Sequence, residues 1–297
     1  MNYRHAFHAG NFADVVKHVV LALCLAHLKR KGTPFAYVDT HAGSGVYDLA
    51  GEAARRSPEW QAGIARLMGA RRPPDVERVL GPYLEAVRAC NPGGGLTAYP
   101  GSPAIAAHMM GARDRLHLFE LHPADGAELD RRYAKDRRVK VEARDGYRGL
   151  KSALPPKERR GLVLVDPPFE QKDEMIRMAQ AAVDAIPRFA TGTFVFWRPL
   201  KDLWSAERFD TGLAEWLIAE REELPEKILR ADLWVRDLES EGKLAGAGVM
   251  VVNPPYTLEQ DLLVVLPWLC DLFRQGEGAG WRLDGGLTPE YLAGDEA

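Results

Sequence analysis

The sequence has only three cysteines, Cys24, Cys90 and Cys270, and they are widely scattered among 297 residues. No CxxC pair or disulfide framework can be built from them, which favours a reducing compartment. Long apolar runs are also missing, because the run at residues 19–28 is too short to span a bilayer and no cleavable signal precedes it. We therefore expect a cytoplasmic protein with no membrane partner.

The common phosphate-binding loops are missing as well. The pattern GxGxxG is not completed, because Gly45 is followed by Val46, Tyr47 and Asp48, and GxxxxGK[ST] does not occur. Asp39, which lies just before the glycines, would repel a pyrophosphate but suits an uncharged or cationic nucleoside. These features disfavour NAD and ATP as ligands.

The chain has no overall basic excess, since its net charge is −3 and its pI about 6.3. A nucleic-acid partner must therefore be held by a local basic face. Basic clusters occur at residues 29–31, 55–56, 71–72, 131–138 and 157–160. Each cluster alone is ordinarily a solvated surface, so we predict only a modest RNA-binding face, built in part with an inserted segment.

What the chain does contain is an alternation of strands and helices. With 46% hydrophobic residues it can bury a large core. Strands are predicted at residues 35–39, 115–121, 139–143, 161–166, 192–197, 227–236 and 247–253. Helices are predicted at residues 12–31, 123–135, 146–153, 170–186, 213–220 and 258–274. This order favours an α/β protein with a mostly parallel sheet, whose last two strands pair antiparallel at one edge.

Two local signals refine the domain organisation. Residues 47–95 are charged and helical, and they are broken by Pro- and Gly-rich stretches at 71–74 and 91–95. We interpret them as a helical subdomain inserted into a main domain of residues 1–46 and 96–297. Asn11 is expected to cap the first helix, and Ser102 a helix that continues to about residue 111.

Acidic residues follow the first four predicted strands. They are Asp39, Glu120, Asp145 and Asp166. Because the carboxyl ends of parallel strands meet at one edge of a sheet, we expect the four carboxylates to lie together there. Glu120 suits the two hydroxyls of a ribose, and Asp145 could accept from the amino group of an adenine.

Two proline motifs compete for the reacting group. Asp166 ends a buried strand and is followed by Pro167, Pro168 and Phe169, which give a stiff backbone and an aromatic ring. The stretch at residues 253–256 has the related form NPPY but follows the last strand. Position along the chain favours Asp166, and we interpret the second motif as a turn that ends a strand.

These residues also carry a resemblance to known enzymes. DTHAGSG at 39–45, FELHP at 119–123, ARDG at 143–146 and VDPPF at 165–169 are similar in order to the motifs of class I S-adenosylmethionine-dependent methyltransferases. YRHAFHAGNFADVVKH at 3–18, PGSP at 100–103 and VVNPP at 251–255 resemble the bacterial 23S ribosomal RNA adenine-N6 methyltransferase family of the RlmJ type. The resemblance extends over essentially the whole chain.

The resemblance implies a Rossmann-like class I methyltransferase fold with a seven-stranded, mostly parallel sheet and an antiparallel edge strand. It implies that S-adenosylmethionine is bound by His18, His41, Ser102, Glu120, Asp145, Gly146 and Asp166. It further implies that Asp166 is catalytic and that Tyr3, His5 and Lys17 close over the cofactor and the target adenine. The substrate would be 23S ribosomal RNA outside the assembled ribosome. Phe169 departs from the more usual tyrosine, so its ring can stack on a base but cannot donate a hydrogen bond.

The chemistry of the acceptor can be argued from the residues. The exocyclic nitrogen of adenine has its lone pair delocalised into the ring. Hydrogen bonds from its two hydrogens to the Asp166 carboxylate and the Pro167 carbonyl would favour a pyramidal nitrogen and stabilise the positive charge that develops. The base must first be unpaired or flipped out of a helix.

Other interpretations remain open at this point. A DNA adenine or protein glutamine amino-group methyltransferase would use the same motif, and a non-catalytic RNA-binding relative would keep the fold. His5, His8 and His18 do not have the spacing of a zinc site, so no metal is expected. Four tryptophans on separate elements, Trp197, Trp204, Trp216 and Trp234, are interpreted as core residues.

Overall fold

The computed structural model describes residues 4–200, 203–220, 228–238 and 244–285. Its centre is an eight-stranded sheet in the order β10-β8-β9-β7-β6-β1-β4-β5, and β2 and β3 form a separate two-stranded sheet. The strands are β1 (Ala36–Asp39), β2 (Val46–Asp48), β3 (Ala98–Pro100), β4 (Arg115–Phe119), β5 (Val139–Glu142), β6 (Gly161–Val165), β7 (Thr193–Pro199), β8 (Ile228–Trp234), β9 (Gly246–Val252) and β10 (Gly280–Gly285).

Helices cover both faces of the large sheet. They are α1 (Phe12–Arg30), α2 (Glu52–Arg56), α3 (Glu59–Ala62), α4 (Ile64–Gly69), α5 (Pro74–Ala89), α6 (Ser102–Met109), α7 (Pro123–Tyr133), α8 (Gly146–Ala153), α9 (Glu174–Ala185), α10 (Leu203–Glu220) and α11 (Leu258–Phe273). Helix α10 begins ten residues before the predicted start at residue 213. The apolar pattern of the sequence does not reveal residues 203–212 as helical, because a charged residue, Asp210, is buried there beside Phe209. Asp210 forms an ion pair with Arg198.

The predicted fold class is confirmed. Strands β5, β4, β1, β6 and β7 pair in parallel, and β8 and β9 pair antiparallel, as expected of the last two predicted strands. The strand count was wrong, because β10 adds an eighth strand and covers the edge of β8. Sequence patterns missed β10 because Arg282 and Asp284 interrupt its apolar residues; both form ion pairs with side chains of β8. The antiparallel pair therefore lies inside the sheet.

The core has two layers, one on each face of the sheet. Strand β6 is buried throughout, and Leu162 and Leu164 pack into the cluster that contains α1, whereas Val163 and Val165 pack against α8 and α9. This alternation is the period of two that a β-strand imposes on its side chains. Continuous burial on both faces explains why β6 could be recognised from its apolar run.

Helix α1 lies at the centre of the first layer. Asn11 caps it as predicted, with its side-chain oxygen accepting from the N–H of Asp14 at 2.9 Å. The inserted segment contributes four helices, and Leu80 and Tyr83 of α5 belong to the same buried cluster as α1. The division into a main domain and an inserted subdomain stays a prediction. Within the described residues, no helix is long and apolar enough to cross a membrane.

Candidate active site

The carboxyl ends of β4, β5 and β6 open into one cavity of about 1270 Å³. Glu120, Asp145 and Asp166 all line it, so three of the four predicted carboxylates are brought together. Asp39 does not line it. It is fully buried and accepts hydrogen bonds from Tyr37 and Ser102, and burial raises the pKa of its carboxyl to about 6. The expected row of four acids is therefore a row of three, with Asp39 lying beneath the glycine loop.

The glycine loop after β1 forms one wall of the cavity. The N–H of Gly43, at a φ of +61°, donates to Glu120 at 2.7 Å, and the N–H of His122 donates to the other carboxylate oxygen at the same distance. Each oxygen keeps capacity for a further donor, such as a ribose hydroxyl. A Cβ on Gly146 would lie 2.0 Å from the carbonyl oxygen of Thr40, so only glycine lets α8 begin against this loop.

Asp145 has two structural contacts in addition to its place in the cavity. Its Oδ1 accepts from the N–H of Arg148 and caps α8, and its Oδ2 forms an ion pair with Arg177 at 3.2 Å. The guanidinium of Arg177 also lies 5.2 Å from the ring of Tyr147. Asp145 is therefore held in one orientation before any ligand arrives.

Two histidines and a serine predicted to bind the cofactor also line the cavity. His18 bonds the hydroxyl of Tyr99 at 2.7 Å, and burial, followed by the charge of Lys17, holds its pKa well below the usual value. Burial lowers the pKa of His41 to about 4. Both rings are therefore neutral at pH 7. Ser102 was expected to cap its helix, but Gly101 occupies the cap and the Ser102 hydroxyl donates to Asp39 at 2.7 Å.

A chain of charged side chains leads to Asp166. The Lys17 ammonium group donates to Asp166 Oδ2 at 2.5 Å and to Asp14 Oδ1 at 2.8 Å, and His5 Nε2 lies 2.9 Å from Asp14 Oδ2. Burial opposes the charge on Lys17, but the two carboxylates outweigh it and raise the pKa of Lys17. Predicted residues His5, Lys17 and Asp166 are thus brought together, whereas Tyr3 lies outside the described residues.

Aromatic rings complete the surface beside Asp166. Phe169 has a φ of +49°, and its ring meets the ring of Trp197 edge-on at 5.5 Å. The Lys17 ammonium lies 5.7 Å from the same indole. Pro167, Pro168 and both rings line the cavity. Trp197 packs against the core, as interpreted, and its partly buried side chain also lines the cavity near the carboxyl end of β7.

The second proline motif lies at the opposite edge of the sheet. Strand β9 runs antiparallel to β7, so Asn253 emerges beside the start of β7. The Asn253 amide donates to the carbonyl oxygens of Ala190 and Gly192 at 2.9 and 2.8 Å, and the Thr193 hydroxyl donates to the carbonyl oxygen of Asn253. These contacts fit the interpretation as a strand-ending turn.

Some site residues escaped the sequence analysis. Asp14 was not singled out as a site residue, but it links His5 to Lys17. His8 binds Glu59 of the inserted segment at 3.0 Å, and Glu59 also accepts from Asn11 at 3.0 Å. The spacing of Asp14 and Lys17, three residues apart in a helix, was the available signal. Nothing in the sequence signals the contact to Glu59. The described part of the chain contains no cluster of three side chains able to hold a metal ion.

Comparison with known proteins identifies the family. Residues 32–284 match a protein-family model described as "Ribosomal RNA large subunit methyltransferase D, RlmJ". The chain belongs to this family. It is 41% identical over 269 residues to ribosomal RNA large subunit methyltransferase J of Escherichia coli K12, which covers 91% of this chain and 92% of the relative. It is 40% identical over 293 residues to the protein of the same name from Haemophilus influenzae, covering 98% of this chain and all of the relative.

A solved structure has a similar fold over nearly the whole chain. The crystal structure of a Legionella pneumophila protein shares 32% identity and superposes with a TM-score of 0.82, covering 94% of this chain and 98% of that one. The resemblance inferred from the motifs is confirmed, and with it the class of enzyme. The roles of individual residues stay predictions.

Proposed function

We propose that this protein transfers a methyl group from S-adenosylmethionine to the N6 amino group of an adenine in 23S ribosomal RNA, with Asp166 as the catalytic residue. Family membership supports the reaction and the RNA substrate. The observation that carries the residue assignment is the position of Asp166 at the end of β6, inside the cavity and hydrogen-bonded to Lys17.

The residues present fit S-adenosylmethionine. Carboxylates dominate the cavity, which suits a cationic sulfonium, and Glu120 keeps acceptor capacity for the ribose hydroxyls. Gly43, Gly146 and neutral His41 offer close backbone approach and uncharged contacts beside it. When bound, this cofactor supplies an electrophilic methyl group that needs no activation by the protein. We assign the cofactor to His18, His41, Ser102, Glu120, Asp145, Gly146 and Asp166, of which Ser102 acts by fixing Asp39.

The acceptor half of the reaction falls to Asp166 and Pro167. Lys17 occupies Oδ2 of Asp166, and no described residue donates to Oδ1. Oδ1 can therefore accept one amino hydrogen of the adenine, and the Pro167 carbonyl can accept the other. These bonds stabilise the positive charge that forms on the nitrogen, after which Asp166 or water takes the proton. Phe169 and Trp197 provide apolar faces for the extruded base.

The N-terminal segment is proposed to complete the site. Lys17 fixes the orientation of Asp166, and Asp14 fixes Lys17 and His5. Tyr3 and His5 are assigned to closure over the cofactor and the base. A ribosomal RNA substrate places the activity in the cytoplasm, and an adenine that must leave its stack favours RNA that is not yet in an assembled ribosome. The insertion at residues 47–95 is proposed as a subdomain of the same enzyme.

The proposal is tested by incubating the purified protein with unmodified 23S ribosomal RNA and methyl-labelled S-adenosylmethionine, followed by mass spectrometry of the nucleosides. Labelled N6-methyladenosine in the RNA is the expected result, and mapping the labelled fragment locates the target. Parallel reactions with duplex DNA and with protein substrates test the other acceptors. Label in either of these but not in RNA would overturn the proposal, and Asp166→Ala provides the matched inactive control.

A further inference from the structure

The catalytic cavity has the wrong charge to hold an RNA backbone. Its lining includes eight carboxylates and four cations, a net charge of −4 with the histidines neutral: Asp14, Glu59, Glu120, Asp125, Asp145, Asp166, Glu170 and Glu174 against Lys17, Arg56, Arg177 and Arg236. Such a cavity attracts a sulfonium and tolerates a neutral base, but it repels phosphates. Because phosphate neutralisation provides much of the affinity of RNA-binding proteins, that affinity must come from another surface.

Cations are concentrated at the opposite edge of the sheet. Four segments, residues 29–33, 111–115, 135–138 and 157–160, lead into the amino ends of β1, β4, β5 and β6. They contain eleven lysines and arginines and only three acids. Since these strands are parallel, all four segments lie at the same edge. We call this surface the amino-edge patch.

Hydrogen bonds join the four segments into one surface. Arg160 donates to the carbonyl oxygen of Leu28 at 2.6 Å and so links the last segment to the end of α1. Arg113 donates to the carbonyl oxygen of Gly32 at 3.0 Å. Arg138 donates to that of Met110 at 2.6 Å, next to the second segment. The patch is therefore continuous along this edge of the sheet. It runs from the segment at 135–138 through those at 111–115 and 29–33 to the segment at 157–160.

Two of the three acids of the patch are already compensated within it. Asp114 is buried and accepts from the backbone N–H groups of Phe35 and Gly111, and Asp136 is paired with Arg138. By contrast, seven cations are exposed and form no side-chain hydrogen bond or ion pair with any described residue: Lys29, Arg30, Lys31, Lys135, Arg137, Lys157 and Arg159. Their charge faces solvent.

An exposed aromatic ring lies at the same edge. Tyr256 of the second proline motif is 82% exposed and meets the ring of His27, near the end of α1, at 5.1 Å. A tyrosine this exposed next to cations offers a face on which an unpaired base can stack. The motif that catalysis does not use therefore adds to this surface.

We propose that the amino-edge patch binds the sugar–phosphate backbone of ribosomal RNA at a position remote from the target adenosine. The proposal rests on the proposed function and extends it. Strands of four or five residues separate the two edges by roughly 13 to 17 Å, before the loops are added. Only an RNA long enough to pass around the protein can occupy both edges, so the patch selects a large, folded substrate over a short one.

A different explanation of these cations is that they stabilise helix dipoles. Lys29, Arg30 and Lys31 end α1, where positive charge is favourable. That role predicts that neutralising the cations lowers thermal stability without changing RNA affinity. The two explanations therefore differ in a measurable quantity.

The test uses a triple variant, Lys31→Gln, Lys135→Gln and Lys157→Gln, in the full chain. Its matched control is Lys140→Gln, Lys151→Gln and Arg274→Gln, three exposed cations that belong neither to the four segments of the patch nor to the cavity lining. Both are assayed for methylation of full-length 23S ribosomal RNA and of a short stem-loop that carries only the mapped target. Binding of S-adenosylhomocysteine by calorimetry checks the cofactor end of the cavity.

The patch variant is expected to raise KM for the full-length RNA on the order of 10- to 100-fold and to lower the slope of log affinity against log salt by about 2 to 3. Its kcat, cofactor binding and activity on the stem-loop should stay unchanged, and the control variant should match the wild type throughout. An unchanged KM for the long RNA, an equal loss on both RNAs, or a loss confined to the control would overturn the proposal. Absence of wild-type methylation on both RNAs would instead overturn the proposed function.

Discussion

Two proline motifs of similar form lie at opposite edges of one sheet. Asp166 ends a parallel strand at the edge where three carboxylates and the glycine loop meet, whereas Asn253 ends the antiparallel strand β9 at the other edge. Asp166 is hydrogen-bonded to an ammonium group and keeps one oxygen available. The Asn253 amide instead donates to two carbonyl oxygens of the neighbouring turn. Strand direction, not the four-residue pattern, decides which motif faces the cavity.

The largest difference between the motifs is expected in catalysis. Asp166→Ala removes the acceptor for an amino hydrogen and should lower kcat by about 10³-fold. Asn253→Ala, the matched change at the other edge, should stay within about threefold of the wild type, which is under 1 kcal/mol. Initial rates of N6-methyladenosine formation at saturating substrates measure both. Activity in the first variant together with its loss in the second would reverse the assignment.

The next largest effect should follow the loss of Lys17, which has no counterpart at the Asn253 motif. Lys17→Met leaves Asp14 buried with one fewer cation and frees Asp166 to rotate. We expect the free energy of unfolding to fall by roughly 3 kcal/mol and kcat by about 10²-fold. Urea denaturation and the methylation assay measure the two losses. Lys29→Met, in the exposed last turn of the same helix, should change neither the free energy of unfolding nor kcat on the stem-loop RNA. If Lys29→Met caused losses equal to those of Lys17→Met, the contacts of Lys17 with Asp14 and Asp166 would not be their cause.

A stability effect without a catalytic one is expected at Asn253. Asn253→Ala places alanine at a φ of +52°, which is strained, and removes the two hydrogen bonds that the amide donates to the preceding turn, at a cost of about 2 kcal/mol. Asn253→Gly keeps the backbone conformation and should recover about half of that loss. Equilibrium unfolding of the two variants measures the difference. If both were as stable as the wild type, the motif would have no structural role.

The smallest effect concerns pH and compares histidines at the two edges. The pKa of His41 is lowered by burial to about 4, so the folded protein binds fewer protons than the unfolded chain between about pH 4 and 6.5. Stability should therefore fall as the pH drops through this window. Because the ring is partly exposed, we expect His41→Gln to relieve the fall by only about 1 kcal/mol. His27→Gln, beside Tyr256, is the control and should relieve a smaller part of this loss of stability. Equal relief in both variants would show that burial in the cavity does not destabilise protonated His41 more than its surroundings destabilise His27.

Much of the site could be predicted because it is encoded in short, continuous segments. Asp166, Glu120 and Asp145 each follow a strand whose apolar run is visible, and the chain order of β1, β4, β5 and β6 places them at one edge. The antiparallel pairing of the last two predicted strands was also visible. Recognition of the family used motifs along the whole chain, of which residues 3–18 were the most specific, and the family match and the relatives confirm the family.

What the sequence could not provide are contacts between distant residues. Asp39 has the same local pattern as the other acids, but Tyr37 and Ser102 turn it inward. The strand β10 was hidden because its polar side chains pair with buried charges of β8. The four segments of the amino-edge patch, spread from residue 29 to residue 160, converge at one edge only because parallel strands bring their starting points together.

The most direct test of the catalytic assignment is a crystal structure of the protein with S-adenosylhomocysteine and adenosine. We predict that the sulfur of the first ligand and the amino group of the second face each other beside Asp166, with Glu120 at the ribose hydroxyls and the adenosine ring against Phe169. Ligands bound near Asn253 at the opposite edge, or an Asp166 carboxylate directed away from the adenosine amino group, would contradict the proposed mechanism.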